Sequence, residues 1–266
     1  MQHILIPTDF SPAAARAIAY GSLLAREYGA KVTLAYIHSM PMDPMRIGEV
    51  SSELYRDGEA LLEDHAEQLR AEGLTVDTEV QLGTPVSRLK SIILKRQVDL
   101  VVMGCQGRHH VASNLFGSTT TSLMEEVTVP ILAVPLNYQP RKPERILWAA
   151  DSKVPKGSAM LEPMLELAER SGSELQVFHY QEADERELPD PKFKELLADV
   201  SCDIYVQVDN GLSVDIAIRD FVEKTGVDLI TVIHRRTGWL NRLAVASSTR
   251  RAVFTSAVPI LILQEK

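Results

Sequence analysis

The sequence predicts an α/β protein of two tandem domains, each a five-stranded parallel sheet with helices on both faces. Three observations lead there. The chain repeats itself: His3-Ile4-Leu5-Ile6-Pro7-Thr8-Asp9 matches Arg145-Ile146-Leu147-Trp148-Ala149-Ala150-Asp151, Val98–Val102 matches Val227–Thr231, and Val129–Leu132 matches Val258–Leu261, in the same order. Within each copy, apolar runs of strand length alternate with segments of helical periodicity, the pattern of Rossmann-like parallel sheets covered on both sides. A chain of 266 residues accommodates two domains of ~130 residues each. The polar, proline-bearing segment Asn137–Pro143 is the expected linker, which sets the domains at 1–137 and 143–266.

In the first copy, residues 3–8 form a continuous apolar strand bounded by Asp9. Ser11-Pro12 supplies an N-cap and a proline at the first helical position. Ala14, Ala17, Ile18, Leu24 and Tyr28 then recur at helical spacing until Gly29 stops the helix. The second strand runs from Val32 to His38, followed by a methionine- and proline-rich loop, Met40–Met45. Leu54, Gly58, Leu61, Leu62, His65 and Leu69 mark the second helix, and Val76–Leu82 the third strand. Thr84-Pro85 repeats the cap-and-proline device before a helix whose inward residues are Val86, Leu89 and Ile93. Leu100–Met103, a helix over 117–126 and Val129–Val134 complete the domain. The second copy keeps the order, with strands at Ile146–Ala149, Leu175–His179, Ile204–Val208, Leu229–Ile233 and Ile260–Leu263. Its second helix is shortened to about Pro191–Leu197.

Composition excludes several classes. The net charge is −8, and the one basic cluster, Arg235-Arg236 with Arg242, Arg250 and Arg251, is small, which disfavours nucleic acid. No apolar run reaches the ~20 residues of a membrane span, and no signal stretch opens the sequence, so a cytoplasmic protein is expected. Two cysteines give no disulfide framework, and neither Cys105 nor the adjacent pair His109-His110 forms a metal-ligand pattern. The first strand is followed by Pro7-Thr8-Asp9-Phe10-Ser11 rather than a glycine-rich turn, which excludes the usual dinucleotide fingerprint. P-loop, nucleophile-elbow and His-x-Gly-His signals are absent as well. No residue pair has the look of a tuned base and nucleophile, so little or no intrinsic catalysis is expected.

The candidate site is the stretch Gly104-Cys105-Gln106-Gly107, nine further residues, and then Gly117-Ser118-Thr119. Glycine lets the backbone approach an anion, and free N–H groups at a helix start favour negative charge. In parallel sheets ligands sit beyond the carboxyl ends of the strands. Both Pro7-Thr8-Asp9 and Gly104–Gly107 fall at such ends, which joins them into one site. In the second copy His234 stands for the first glycine, Thr237 for the second, and Ser247-Ser248 for Gly117-Ser118, so only the first domain keeps the pattern.

These segments resemble the universal stress protein family, and specifically its tandem members with two domains in one chain. The resemblance rests on Ile4–Ser11, the strand Asp99–Gly104, the Gly104-x2-Gly107-x9-Gly117-Ser118 pattern and Val129–Val134. It implies ATP bound in the first domain, with Mg2+ held through phosphates and water. Asp9 would accept a hydrogen bond from the adenine edge or its polar neighbours, alongside a second role in capping the next helix. Pro7, Thr8 and Ile37 would line the adenosine pocket, and Met103 and Gly104 would flank the ribose. Gly107, Gly117, Ser118 and Thr119 would meet the phosphates, with Arg108 adding charge. The resemblance further implies a stress-response or signalling role, and an intramolecular pseudo-dimer paired through the last strand of each copy; it leaves homodimerisation open. The alternative is a scaffold that binds a protein partner or a small metabolite instead of a nucleotide.

Overall fold

The computed structural model describes residues 1–39, 50–105, 118–150, 155, 157–181, 195–198, 200–208, 214–235 and 257–265. The chain forms two compact units, which divide between Arg141 and Lys142. The described residues contain ten strands and six α-helices.

The first unit holds β1 (His3–Thr8), α1 (Pro12–Tyr28), β2 (Lys31–His38), α2 (Val50–Ala71), β3 (Val76–Leu82), α3 (Pro85–Arg96), β4 (Leu100–Cys105), α4 (Ser118–Glu126) and β5 (Ile131–Pro135). Its strands are parallel in the order β3-β2-β1-β4-β5. Chain travel reverses after β3, so right-handed crossovers put α1 and α2 on one face and α3 and α4 on the other. Ile4, Leu5 and Ile6 of β1 and Val101 and Val102 of β4 are wholly buried. Strands shielded on both faces read as continuous apolar runs, and this explains the pattern at both places.

Local signals account for the helix ends. The Ser11 hydroxyl accepts the Ala14 N–H at 3.2 Å, Pro12 opens α1, and Gly29 closes it at φ 63°. Thr84 does not repeat the device in full: its backbone is extended and Pro85 follows, but its side chain makes no capping bond. Gln97, at φ 52°, ends α3 in the left-handed conformation usually left to glycine. In α2, Leu62 is buried whereas Leu61 is half exposed and points away from the sheet.

The second unit holds β6 (Arg145–Ala150), a 3-10 turn (Ser158–Met160), α5 (Glu162–Ser171), β7 (Glu174–Gln181), β8 (Cys202–Val208), α6 (Val214–Thr225), β9 (Leu229–His234) and β10 (Ile260–Gln264). Its parallel order, β8-β7-β6-β9-β10, is that of the first unit. Phe221 of α6 packs on Phe178 and Tyr205 with ring centroids 4.8 and 4.9 Å away. The expected helix near 191–197 lies mostly outside the described residues.

The repeated Val-Asp pair has a structural cause. Asp99 Oδ2 accepts the N–H groups of Gln2 (2.6 Å) and His3 (2.9 Å), and Asp228 Oδ2 accepts those of Glu144 (2.9 Å) and Arg145 (3.1 Å). In each unit the carboxylate before one central strand ties down the start of its neighbour. No helix among the described residues is long and apolar enough to cross a membrane.

Candidate functional site

Strand order reverses in the first unit between β1 and β4, the place where a doubly wound sheet opens a crevice at its carboxyl end. A cleft of about 190 Å3 lies there. Pro7, Thr8 and Asp9 enter it from the end of β1, Ala35 and Ile37 from β2, and Met103 and Gly104 from β4. Ser11 and Ala14 come from the start of α1, Pro85 and Leu89 from α3, and Thr119 and Thr120 from α4. Thus Pro7, Thr8, Asp9, Ile37, Met103, Gly104 and Thr119 of the sequence-derived set share one cleft. Ser118 opens α4. Gly107, Arg108 and Gly117, like His109-His110 and Asp151, lie outside the described residues.

The turn after β1 is fixed by its own side chains. Thr8 Oγ1 accepts the Phe10 N–H at 3.0 Å, and Asp9 Oδ1 accepts the Ser11 N–H at 3.0 Å. Asp9 therefore organises the approach to α1 rather than capping it, a task that falls to Ser11. Its second oxygen has no bond among the described residues, and it is the one charged group among those lining the cleft. Apolar walls from Ala35, Ile37, Leu89 and Met103 face hydroxyls from Thr8, Ser11, Thr119 and Thr120. Thr120, a buried residue at the start of α4, brings its hydroxyl-bearing side chain to the cleft wall. Thr120 thus joins Thr119 in the cleft. The repeated threonines of α4 were the available signal.

Gly104 is not the end of β4. It sits within the strand, paired with Val134, and the strand runs on to Cys105. A Cβ on Gly104 would lie 2.3 Å from the Ala13 carbonyl carbon and oxygen and 2.7 Å from the Ala14 nitrogen. The missing side chain is what lets the first turn of α1 rest on β4. The second unit corrects the sequence alignment at this point. β9 pairs Ile233 with Leu263 and His234 with Gln264, just as β4 pairs Gly104 with Val134 and Cys105 with Pro135. The Glu265 N–H reaches the His234 carbonyl as the Leu136 N–H reaches that of Cys105. Ile233, not His234, therefore occupies the glycine register. Its side chain is buried, and α5 begins only at Glu162 after a 3-10 turn. Beyond it Arg235, 3% exposed, donates from Nε to Glu265 at 3.0 Å.

The described residues hold no cluster of three His, Cys, Asp or Glu side chains able to bind a metal. Cys105 is buried, and burial, with Asp203 beside it, pushes the Cys202 thiol above its ordinary value.

Residues 1–135 match the sequence profile of the universal stress protein family. A universal stress protein of Methanocaldococcus jannaschii is 27% identical over 139 residues, 49% of this chain and 80% of its own. A universal stress protein A homolog of Haemophilus ducreyi is 26% identical over 140 residues, 51% of this chain and 96% of its own. Over its whole length the fold resembles the crystal structure of a universal stress protein from Archaeoglobus fulgidus. The TM-score is 0.78 at 18% identity, with 99% of this chain and 98% of the other covered.

Proposed function

Since the chain belongs to the universal stress protein family and is built from two of its domains, we propose that it is a stress or signalling protein that binds ATP in the first domain only. The observation that carries this is the cleft at the β1/β4 switch point, which combines apolar walls, one carboxylate and the N-terminus of α4. Each part suits a part of the nucleotide. An adenine ring needs apolar faces, which Ile37, Met103 and Leu89 supply. The free oxygen of Asp9 can accept from the base edge or a ribose hydroxyl but can donate nothing, so it selects for N–H or O–H groups. Thr119 and Thr120 offer hydroxyls where helix N–H groups favour a phosphate.

The donor set is one carboxylate and several hydroxyls. It fits Mg2+ that is carried on phosphate oxygens and water rather than caged by protein. At the glycine register of the second domain stands Ile233, and just beyond it the buried Arg235 pairs with Glu265, a change of chemistry that supports a single site. Among the described residues that line the cleft no base is paired with a nucleophile, and the role proposed is occupancy rather than turnover.

Calorimetric titration of the full chain with ATP, ADP and AMP tests this. One site per chain, weakened at least tenfold by Asp9→Ala, is expected. Two equivalent sites would overturn the asymmetry. Absence of binding, with no nucleotide in the purified protein, would favour a scaffold that takes a protein or metabolite.

A further inference from the structure

We propose that Phe10 is the positioning residue of the cleft and that, through it, α2 sets how tightly the cleft binds, although α2 lends the cleft no described residue. The proposal rests on the reading of the cleft as a nucleotide site. Phe10 has φ 60°, and the one other described non-glycine residue at positive φ is Gln97, where a helix end explains it. A bulky side chain in this region is an outlier that persists only where its surroundings over-determine it.

The surroundings are visible. The Phe10 ring lies 4.8 Å from the ring of Tyr36 on β2 and 6.1 Å from that of His65 on α2, within 15° of parallel to the latter. Tyr36 in turn is held from two sides. Its hydroxyl is 3.2 Å from His38 Nδ1, and its ring rests on α2 at Gly58, where a Cβ would come within 2.4 Å of it. Glycine in the middle of a helix is unfavourable, and here the room it leaves is filled by Tyr36.

The consequence falls on the cleft. Phe10 stands between Asp9 and Ser11, and its N–H is bonded to Thr8. Thr8, Asp9 and Ser11 line the cleft, while Phe10, Tyr36 and His65 do not. If Phe10 relaxed to negative φ, the Ser11 N–H would swing away from Asp9 and the carboxylate would lose its aim. The ring stack on the α2 face thus holds the carboxylate on the ligand side.

The test uses the full chain with Phe10→Ala, Phe10→Gly and Gly58→Ala, read by exchange of the Ser11 amide proton and by titration with ATP. Strain of the kind a positive φ carries corresponds to roughly five- to hundred-fold in an equilibrium. Phe10→Ala should therefore speed Ser11 exchange and weaken ATP by about tenfold. Phe10→Gly, which loses the ring but tolerates the backbone, should fall between it and the wild type. Gly58→Ala, which helix propensity alone would make favourable, should shift both readouts in the same direction as Phe10→Ala. The ranking is read in variants whose Leu5 and Val101 amides stay protected. Gly58→Ala leaves Phe10 in place and carries the test if the Phe10 variants lose the fold. Ser11 exchange unchanged in Phe10→Ala, or Phe10→Gly indistinguishable from the wild type, would overturn the proposal. If wild type binds no ATP, the nucleotide reading fails, and Ser11 exchange alone still decides whether the stack holds the turn.

Discussion

Gly104→Ala adds one methyl group to the first domain, and its cost can be worked from the structure. Gly104 has an ordinary extended conformation in β4, so no backbone penalty enters. The new Cβ meets the backbone of α1 at 2.3 Å, and backbone cannot rotate away as a long side chain can. Overpacking of this kind costs about 1–3 kcal/mol. Relief requires the first turn of α1 to lift, which strains the Ser11–Ala14 capping bond, worth about 1 kcal/mol. The expected loss is about 3 kcal/mol, or roughly 10 °C in Tm for a domain of this size. Gly29→Ala is the contrast. No atom lies within 4 Å of its Cβ, and only its φ of 63° counts against it, a cost of about 1 kcal/mol. Calorimetry of the nucleotide-free protein is the assay, because it isolates packing from ligand contact. If Gly104→Ala unfolds within a degree of the wild type without ligand but no longer binds ATP, Gly104 serves the ligand and not the helix, and the packing argument is wrong.

The two aspartates that tie strand starts should differ in weight. Asp99→Ala removes two bonds at an exposed place and should cost about 1–2 kcal/mol, whereas Asp228→Ala should cost more, since Asp228 is 2% exposed and water does not readily replace its carboxylate; equal changes in Tm would contradict this. A hydrogen bond from Lys31 holds the Asp77 carboxyl below its ordinary value, against burial and with help from Arg96. At Glu79 burial pushes upward, but hydrogen bonds from Gln81 and Arg96 outweigh it and leave the group lowered. A lowered carboxylate stabilises the fold above its unfolded pKa of about 4, and this is lost as pH falls through the lower folded value. Arg96→Gln should therefore move the acid-unfolding midpoint, followed by circular dichroism, to higher pH; an unmoved midpoint would show that these pairs contribute nothing.

What could be read in the sequence was set by periodicity and caps. Buried runs such as Ile4–Ile6 and Val101–Val102 have no polar face to confuse them, and Ser11-Pro12 with Gly29 brackets α1 at both ends. The cleft was legible as far as it follows strand ends. The register of Ile233 against Gly104 was implied too, since the matches of Val98–Val102 to Val227–Thr231 and of Val129–Leu132 to Val258–Leu261 share one offset that sets Ile233, not His234, opposite Gly104. Two things were not legible. Phe10 carries no mark of its positive φ, which is imposed by Tyr36 and His65 from distant parts of the chain. Thr84 looks like Ser11 in its Thr-Pro setting, yet the capping bond depends on a side-chain rotation that sequence does not record.

The ties at Asp99 and Asp228 also have a meaning in time. Gln2 waits for a partner 97 residues further along the chain, and Glu144 for one 84 residues on. At the ~5–20 residues per second of protein synthesis, that interval is roughly 4–20 s. During it β1 can pair with β2, but the edge destined for β4 stays open, with Ile4, Leu5 and Ile6 beside it. An open apolar edge is the template on which nascent chains mispair. Each domain therefore meets this exposure once while it is being made, so the chain meets it twice.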